Sequence, residues 1–124
     1  MKKSYNNGVE ATLGVISGKW KPQLLCHLGN QPQRTCDLRL KLPAISQKVL
    51  TQQLRELEQD GIITRQVSGD RAPFKVTYAL TELGHSLGEI LVQMSLWGEQ
   101  RANQVPDMEV THDHEGFTQL LQNS

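Results

Sequence analysis

Residues 45–65 read ISQKVLTQQLRELEQDGIITR, and within them Gln47, Thr51 and Arg55, with Lys48 and Gln52, recur every four residues. That spacing lines up amides, a hydroxyl and two cations along one face of a helix, while Val49, Leu50, Leu54 and Leu57 fall on the other. Such a polar set is equipped for recognition in a nucleic-acid groove. Gln can pair with adenine edges, Lys with guanine or phosphate, and the Thr methyl group can rest on a thymine methyl. An ordinary solvated face has the same composition, and the segment alone leaves both readings open.

The other chemistry-bearing residues point nowhere as strongly. Cys26 sits between leucines and a histidine, where a free thiol behaves as a small core residue. Cys36 falls in a first helical turn, where the helix dipole favours thiolate, so a sensing role is a weaker alternative to filler. The run His112, Asp113, His114, Glu115 offers imidazoles and carboxylates suited to a divalent metal, yet the i, i+2 spacing in a polar tail fits a solvated segment better. Nucleophile elbow, phosphate loop and paired-carboxylate patterns are all missing, so neither an enzyme nor a cofactor is expected.

The elements that must hold these residues follow from period and punctuation. Val9, Leu13, Val15 and Ile16 predict a first helix over Gly8–Ser17, stopped by Gly18. Pro22 suits the first turn of a second helix carrying Leu24, Leu25 and Leu28 and ended by Gly29, with Trp20 as an anchor just before it. Thr35 is the expected cap of a short third helix bearing Leu38 and Leu42, which Pro43 ends. Ser46 caps a fourth over residues 47–59, with Gly61 as its left-handed C-cap. Ile62–Val67 and Phe74–Leu80, joined by the turn-forming SGDRAP, predict a β-hairpin with Arg71 at its tip. Thr81 then caps a single long helix, residues 81–102, striped by Leu83, Leu87, Ile90, Leu91, Met94, Leu96 and Trp97. Residues 103–124 form a polar, acidic tail in which Phe117, Leu120 and Leu121 are able to make a last helical turn or two that docks somewhere.

At 124 residues the chain suits one domain of this kind, residues 1–102, with the tail as an appendage. Two cysteines are too few for a disulfide framework, and neither a signal segment nor an apolar run of spanning length is present, so a soluble cytoplasmic protein is expected. The zero net charge conceals a division: residues 1–75 carry +6 and residues 76–124 carry −6. A basic half joined to an acidic one suits a body that faces nucleic acid.

Three helices, the short third joined through the turn LPAI to a fourth as a helix-turn-helix, then a hairpin and a long helix, is the order of a winged helix-turn-helix, mainly α with a small β wing. At this point the residues resemble a family. The runs GVEATLGVISGKWKPQLLCHL, LPAISQKVLTQQLRELEQDGIITR and PFKVTYALTELG, with the later Trp97, are similar to the HxlR-type branch of the MarR-related bacterial transcription regulators over residues 8–98. The resemblance implies a homodimer, paired mainly through its terminal helices, that binds a palindromic operator in duplex DNA. DNA contacts are then expected from Arg34, Thr35, Ser46, Gln47, Lys48, Thr51, Gln52 and Arg55, and from Arg71 and Lys75 on the wing. The dimer would use Val9, Leu13, Leu87, Ile90, Leu91, Met94 and Trp97, and Trp97 would border any small-molecule effector cavity between subunits. Members that sense oxidants typically carry a cysteine just before the first helix; here Asn7, Gly8, Val9 and Glu10 occupy that stretch. Arg34 and Thr35 stand where the family usually has an Arg-Phe pair. The alternative in another function class is a winged-helix module that contacts proteins rather than DNA.

Overall fold

The computed structural model describes residues 2–123, so Met1 and Ser124, the outer ends of the predicted domain and tail, lie outside it. Its elements are α1 (Gly8–Ile16), α2 (Lys21–Asn30), α3 (Thr35–Lys41), α4 (Gln47–Gln59), β1 (Ile63–Ser68), β2 (Lys75–Leu80), α5 (Glu82–His85), α6 (Gly88–Gln104) and α7 (Glu115–Thr118), followed by a 3-10 turn over Gln119–Asn123. A mainly helical body with one antiparallel hairpin is the winged helix-turn-helix that the order of elements predicts.

Local chemistry explains most of the boundaries. The Asn7 side chain accepts from Glu10 N at 2.8 Å to open α1, and Gly18, at φ 103°, turns the chain out of it. Ser46 Oγ accepts from Val49 N at 3.1 Å at the head of α4, while Gly61, at φ 75°, lets the chain leave its far end. Thr81 Oγ1 accepts from Gly84 N at 3.0 Å and itself donates to the Gly61 carbonyl at 2.7 Å, tying the end of the wing to the end of α4. In the hairpin Ile63 faces Leu80 and Ser68 faces Lys75.

Leu24, Leu25, Leu38, Leu50, Leu54, Leu57 and Ile63 close the core, with Trp20 and Val49 packed against it half-buried. A mostly aliphatic core of this kind is what the low aromatic content requires. Lys19 Nζ lies 4.8 Å over the Trp20 ring and covers its outer face.

Three local expectations are corrected. Residues 81–102 are not one helix: α5 stops at His85, and Ser86 and Leu87 turn before α6 begins. The break falls between Gly84, whose missing Cβ admits the Ile62 carbonyl, and Gly88, where a Cβ would come within 2.8 Å of Leu120. Gly29 does not stop α2, which runs on to Asn30; a Cβ at Gly29 would lie 2.6 Å from Leu120 Cδ1, so its smallness serves packing. The cap of α3 is Arg34, whose N–H donates to Asp37 Oδ2 at 2.9 Å, and Thr35 is the first helical residue.

The C-terminal segment is exposed over residues 106–113 and then docks through a short helical end. Leu120 is fully buried against both glycines. Cys26 Sγ donates to the Gly116 carbonyl at 3.2 Å, His85 Nδ1 meets the Leu120 carbonyl at 3.0 Å, and His114 N–H donates to Glu99 Oε2 at 3.1 Å. His114 Nδ1 also lies 3.0 Å from that carboxylate, which occupies one imidazole of the suspected metal run. Among the described residues no group of three or more His, Cys, Asp or Glu is placed to hold a metal.

Candidate nucleic-acid interface

The face of α4 follows directly from its sequence period. Leu50, Leu54 and Leu57 are buried, and Ser46, Gln47, Lys48, Thr51, Gln52 and Arg55 are exposed on the other side. Among the described residues Lys48, Arg55, Arg71 and Lys75 make no ion pair, so their charges are open to an outside partner. Arg71 and Lys75 are exposed on the wing, Arg34 is exposed at the head of α3, and Thr35 is half-buried.

The amides on this face are oriented by their neighbours. Gln47 Nε2 donates to Thr51 Oγ1 at 3.2 Å, and Arg39 Nη1 approaches Gln47 Oε1 at 3.4 Å from α3. Gln52 is held more closely, its Nε2 donating to Glu56 Oε2 at 2.7 Å. The other oxygen of that carboxylate accepts from Lys21 Nζ at 2.6 Å, and the Lys21 side chain is only 8% exposed on α2. The Lys21 hydrogen bond first, and the Gln52 hydrogen bond second, hold the Glu56 carboxyl below the usual carboxylate range.

Sequence reasoning missed Lys21, Arg39, Glu56 and Gln33. The four-residue step from Gln52 to Glu56 was a usable signal, since such pairs meet on a helix surface. Gln33 carried none, standing in the polar stretch NQPQR. It is 1% exposed, exchanges backbone hydrogen bonds with Tyr78 at 2.8 and 2.9 Å, and accepts from Lys41 Nζ at 2.9 Å. This bridge anchors the wing to the chain just ahead of α3.

The seven residues expected to form a dimer face divide into two groups. Leu87 and Leu91 are 8% and 4% exposed and belong to the protomer's own core. Val9, Leu13, Ile90, Met94 and Trp97 stay on the surface, Trp97 at 69% exposure. Leu91 faces inward from α6 while Ile90, Met94 and Trp97 on the same helix face outward; Leu87 lies in the turn before it, and Val9 and Leu13 are on α1.

A helix-turn-helix with an exposed polar second helix and a wing defines the class as a winged helix-turn-helix, the fold of the regulator structures it resembles. The HxlR-like helix-turn-helix family model matches residues 15–106, and the chain belongs to that family. It is 53% identical over 104 residues to the HTH-type transcriptional regulator YtcD of Bacillus subtilis (strain 168), covering 84% of this chain and 82% of the relative. The crystal structure of YtcD superposes with a TM-score of 0.72 at 50% identity, over 78% of this chain and 98% of that one. The reduced form of the redox regulator HypR gives 0.71 at 47% identity, over 77% and 93%. The protein is a transcriptional regulator with a helix-turn-helix domain. No helix among the described residues is long and apolar enough to cross a membrane.

The cysteines of this chain are differently placed from each other. Burial pushes the Cys26 thiol up from its ordinary pKa, which suppresses the reactive thiolate, and Cys36 is exposed. The double variant Cys26→Ala/Cys36→Ser is expected to bind DNA as tightly as wild type, and diamide is expected to release neither from a duplex. Release of wild type but not of Cys36→Ser, followed by gel shift, would make Cys36 a switch.

Proposed function

We propose that the protein acts in the cytoplasm as a homodimer that binds a pseudo-palindromic operator, one α4 in each of two successive major grooves, and regulates transcription by its position there. The observation that carries this reading is the two-faced character of α4: three leucines lock one side into the core while Gln47, Lys48, Thr51, Gln52 and Arg55 stand in solvent on the other. The positive end of the helix, capped by Ser46, is suited to a backbone phosphate, and Arg34 and Thr35 extend that contact at the head of α3. Arg71 and Lys75 on the wing meet the backbone or the minor groove. Residue pairing through α1 and α6 supplies the two-fold axis that a palindrome requires.

Two variants separate base reading from charge. Gln52→Ala is expected to cost about 1 to 3 kcal/mol on the selected site and to relax preference at one base position. Arg71→Ala is expected to weaken all duplexes alike and to flatten the dependence of log affinity on log salt by about one ion. Anisotropy titrations against selected and scrambled duplexes at several salt concentrations read both effects. If both variants bind as wild type does, the polar face of α4 is only a solvated surface.

A further inference from the structure

Lys21, Glu56 and Gln52 form a chain of hydrogen bonds that begins in the core and ends on the proposed reading face. Glu56 is ionised and can only accept, so the contact of Gln52 with Glu56 Oε2 at 2.7 Å requires the amide to turn its NH2 group toward the carboxylate. The carbonyl oxygen of Gln52 then points the other way. Glu56 cannot easily swing to release it, because Lys21 grips the second carboxylate oxygen at 2.6 Å and Lys21 is itself packed on α2. A surface glutamine ordinarily samples both amide orientations and several rotamers; the bond to Glu56 biases this one toward a single amide orientation before any DNA arrives.

We propose that Glu56 is a positioning residue for DNA recognition: clamped by Lys21, it presents Gln52 to the major groove with its carbonyl oxygen outward, so that Gln52 selects a base that donates there. On the contacted strand those bases are adenine, through N6, and cytosine, through N4. Guanine and thymine present only acceptors there, so they leave the carbonyl oxygen without a donor and can be met only through the one amide hydrogen that Glu56 does not take. The second amide hydrogen of Gln52 stays available for adenine N7, which favours adenine over cytosine. This inference rests on α4 entering the groove.

Glu56→Gln tests it, since the replacement keeps the shape but can donate as well as accept and so frees the Gln52 amide to flip. With purified dimer and duplexes carrying each of the four bases at every half-site position, wild type is expected to prefer adenine or cytosine about five- to tenfold at the position that Gln52→Ala relaxes. Glu56→Gln is expected to lose that preference while its affinity for scrambled duplex stays at or rises above the wild-type value, since a carboxylate beside the phosphates is gone, and to change base preference no further in a Gln52→Ala background. Uniform weakening on all duplexes, or an unchanged preference, would overturn the proposal. If wild type itself does not distinguish selected from scrambled duplex, the DNA-reading account fails first and this inference goes with it. A DNA-free readout stands beside these, independent of whether Glu56→Gln folds well. The side-chain amide resonances of Gln52 in wild type should move as Glu56 titrates, with a midpoint below the ordinary carboxylate value; resonances indifferent to that titration would overturn the clamp.

Discussion

Ile90→Asp is expected to turn the dimer into monomers and to lower operator affinity by about a hundredfold or more. Ile90 is exposed on the protomer, as are Leu13, Met94 and Trp97, so the substitution leaves the protomer's core untouched and its melting temperature nearly unchanged. In the proposed dimer the same side chain is covered by its partner, and a carboxylate there loses its hydration without gaining a counter-charge. Apolar burial at about 25 cal/mol per Å² is what holds such helices together, and a few hundred square ångströms per subunit offset the cost of association. Once the subunits separate, each half-site must be bound independently, which removes the gain from linkage, roughly 10² or more. Sedimentation at micromolar concentration reads the first effect, and wild type sedimenting as a monomer would contradict it.

Leu54→Ala, two residues from Gln52 on the opposite side of α4, is expected to lower stability by about 2 to 5 kcal/mol. The side chain is 1% exposed and its removal leaves a cavity that Leu50 and Leu57, one turn away on either side, cannot fill without shifting the helix. Gln52→Ala, on the outer face, should move the urea midpoint by no more than about 0.5 kcal/mol in stability. The two variants together separate the structural and recognition faces of one helix. A Leu54→Ala protein as stable as wild type would mean that α4 is not seated as described.

Much of this architecture was legible because its signals are local. Caps at Ser46 and Thr81, left-handed glycines at Gly18 and Gly61, the Leu50, Leu54, Leu57 repeat and the hairpin turn all act within a few residues, and each lies where the sequence predicts it. The misread positions depend on contacts from far along the chain. Gly29 has the composition of a helix stop, but Leu120 packs into the space its absent Cβ leaves. The break at Ser86 and Leu87 is invisible to periodicity because apolar residues recur at steps of three and four straight through it in the sequence.

Periodicity also reports that a stripe is apolar without reporting what covers it. Leu87 and Leu91 therefore read the same as Ile90 and Met94, although the first two are covered by the protomer's own body. On the candidate interface, residue type and spacing marked the exposed polar side chains of α4. The step from Gln52 to Glu56 within α4 was open to the same reading, but the bond from Lys21 to Glu56 could not be read, because it joins α2 to α4 across the fold.

Whether a dimer reads duplex DNA with two copies of α4 is decided by selecting bound sites from a pool of random duplexes with the purified protein. An inverted repeat is expected to be enriched, its half-sites centred one helical turn, roughly 10 to 10.5 base pairs, or a multiple of it, apart. Repeated rounds that enrich no sequence, with the protein folded and the salt low enough for phosphate contacts to form, would contradict this mode of reading.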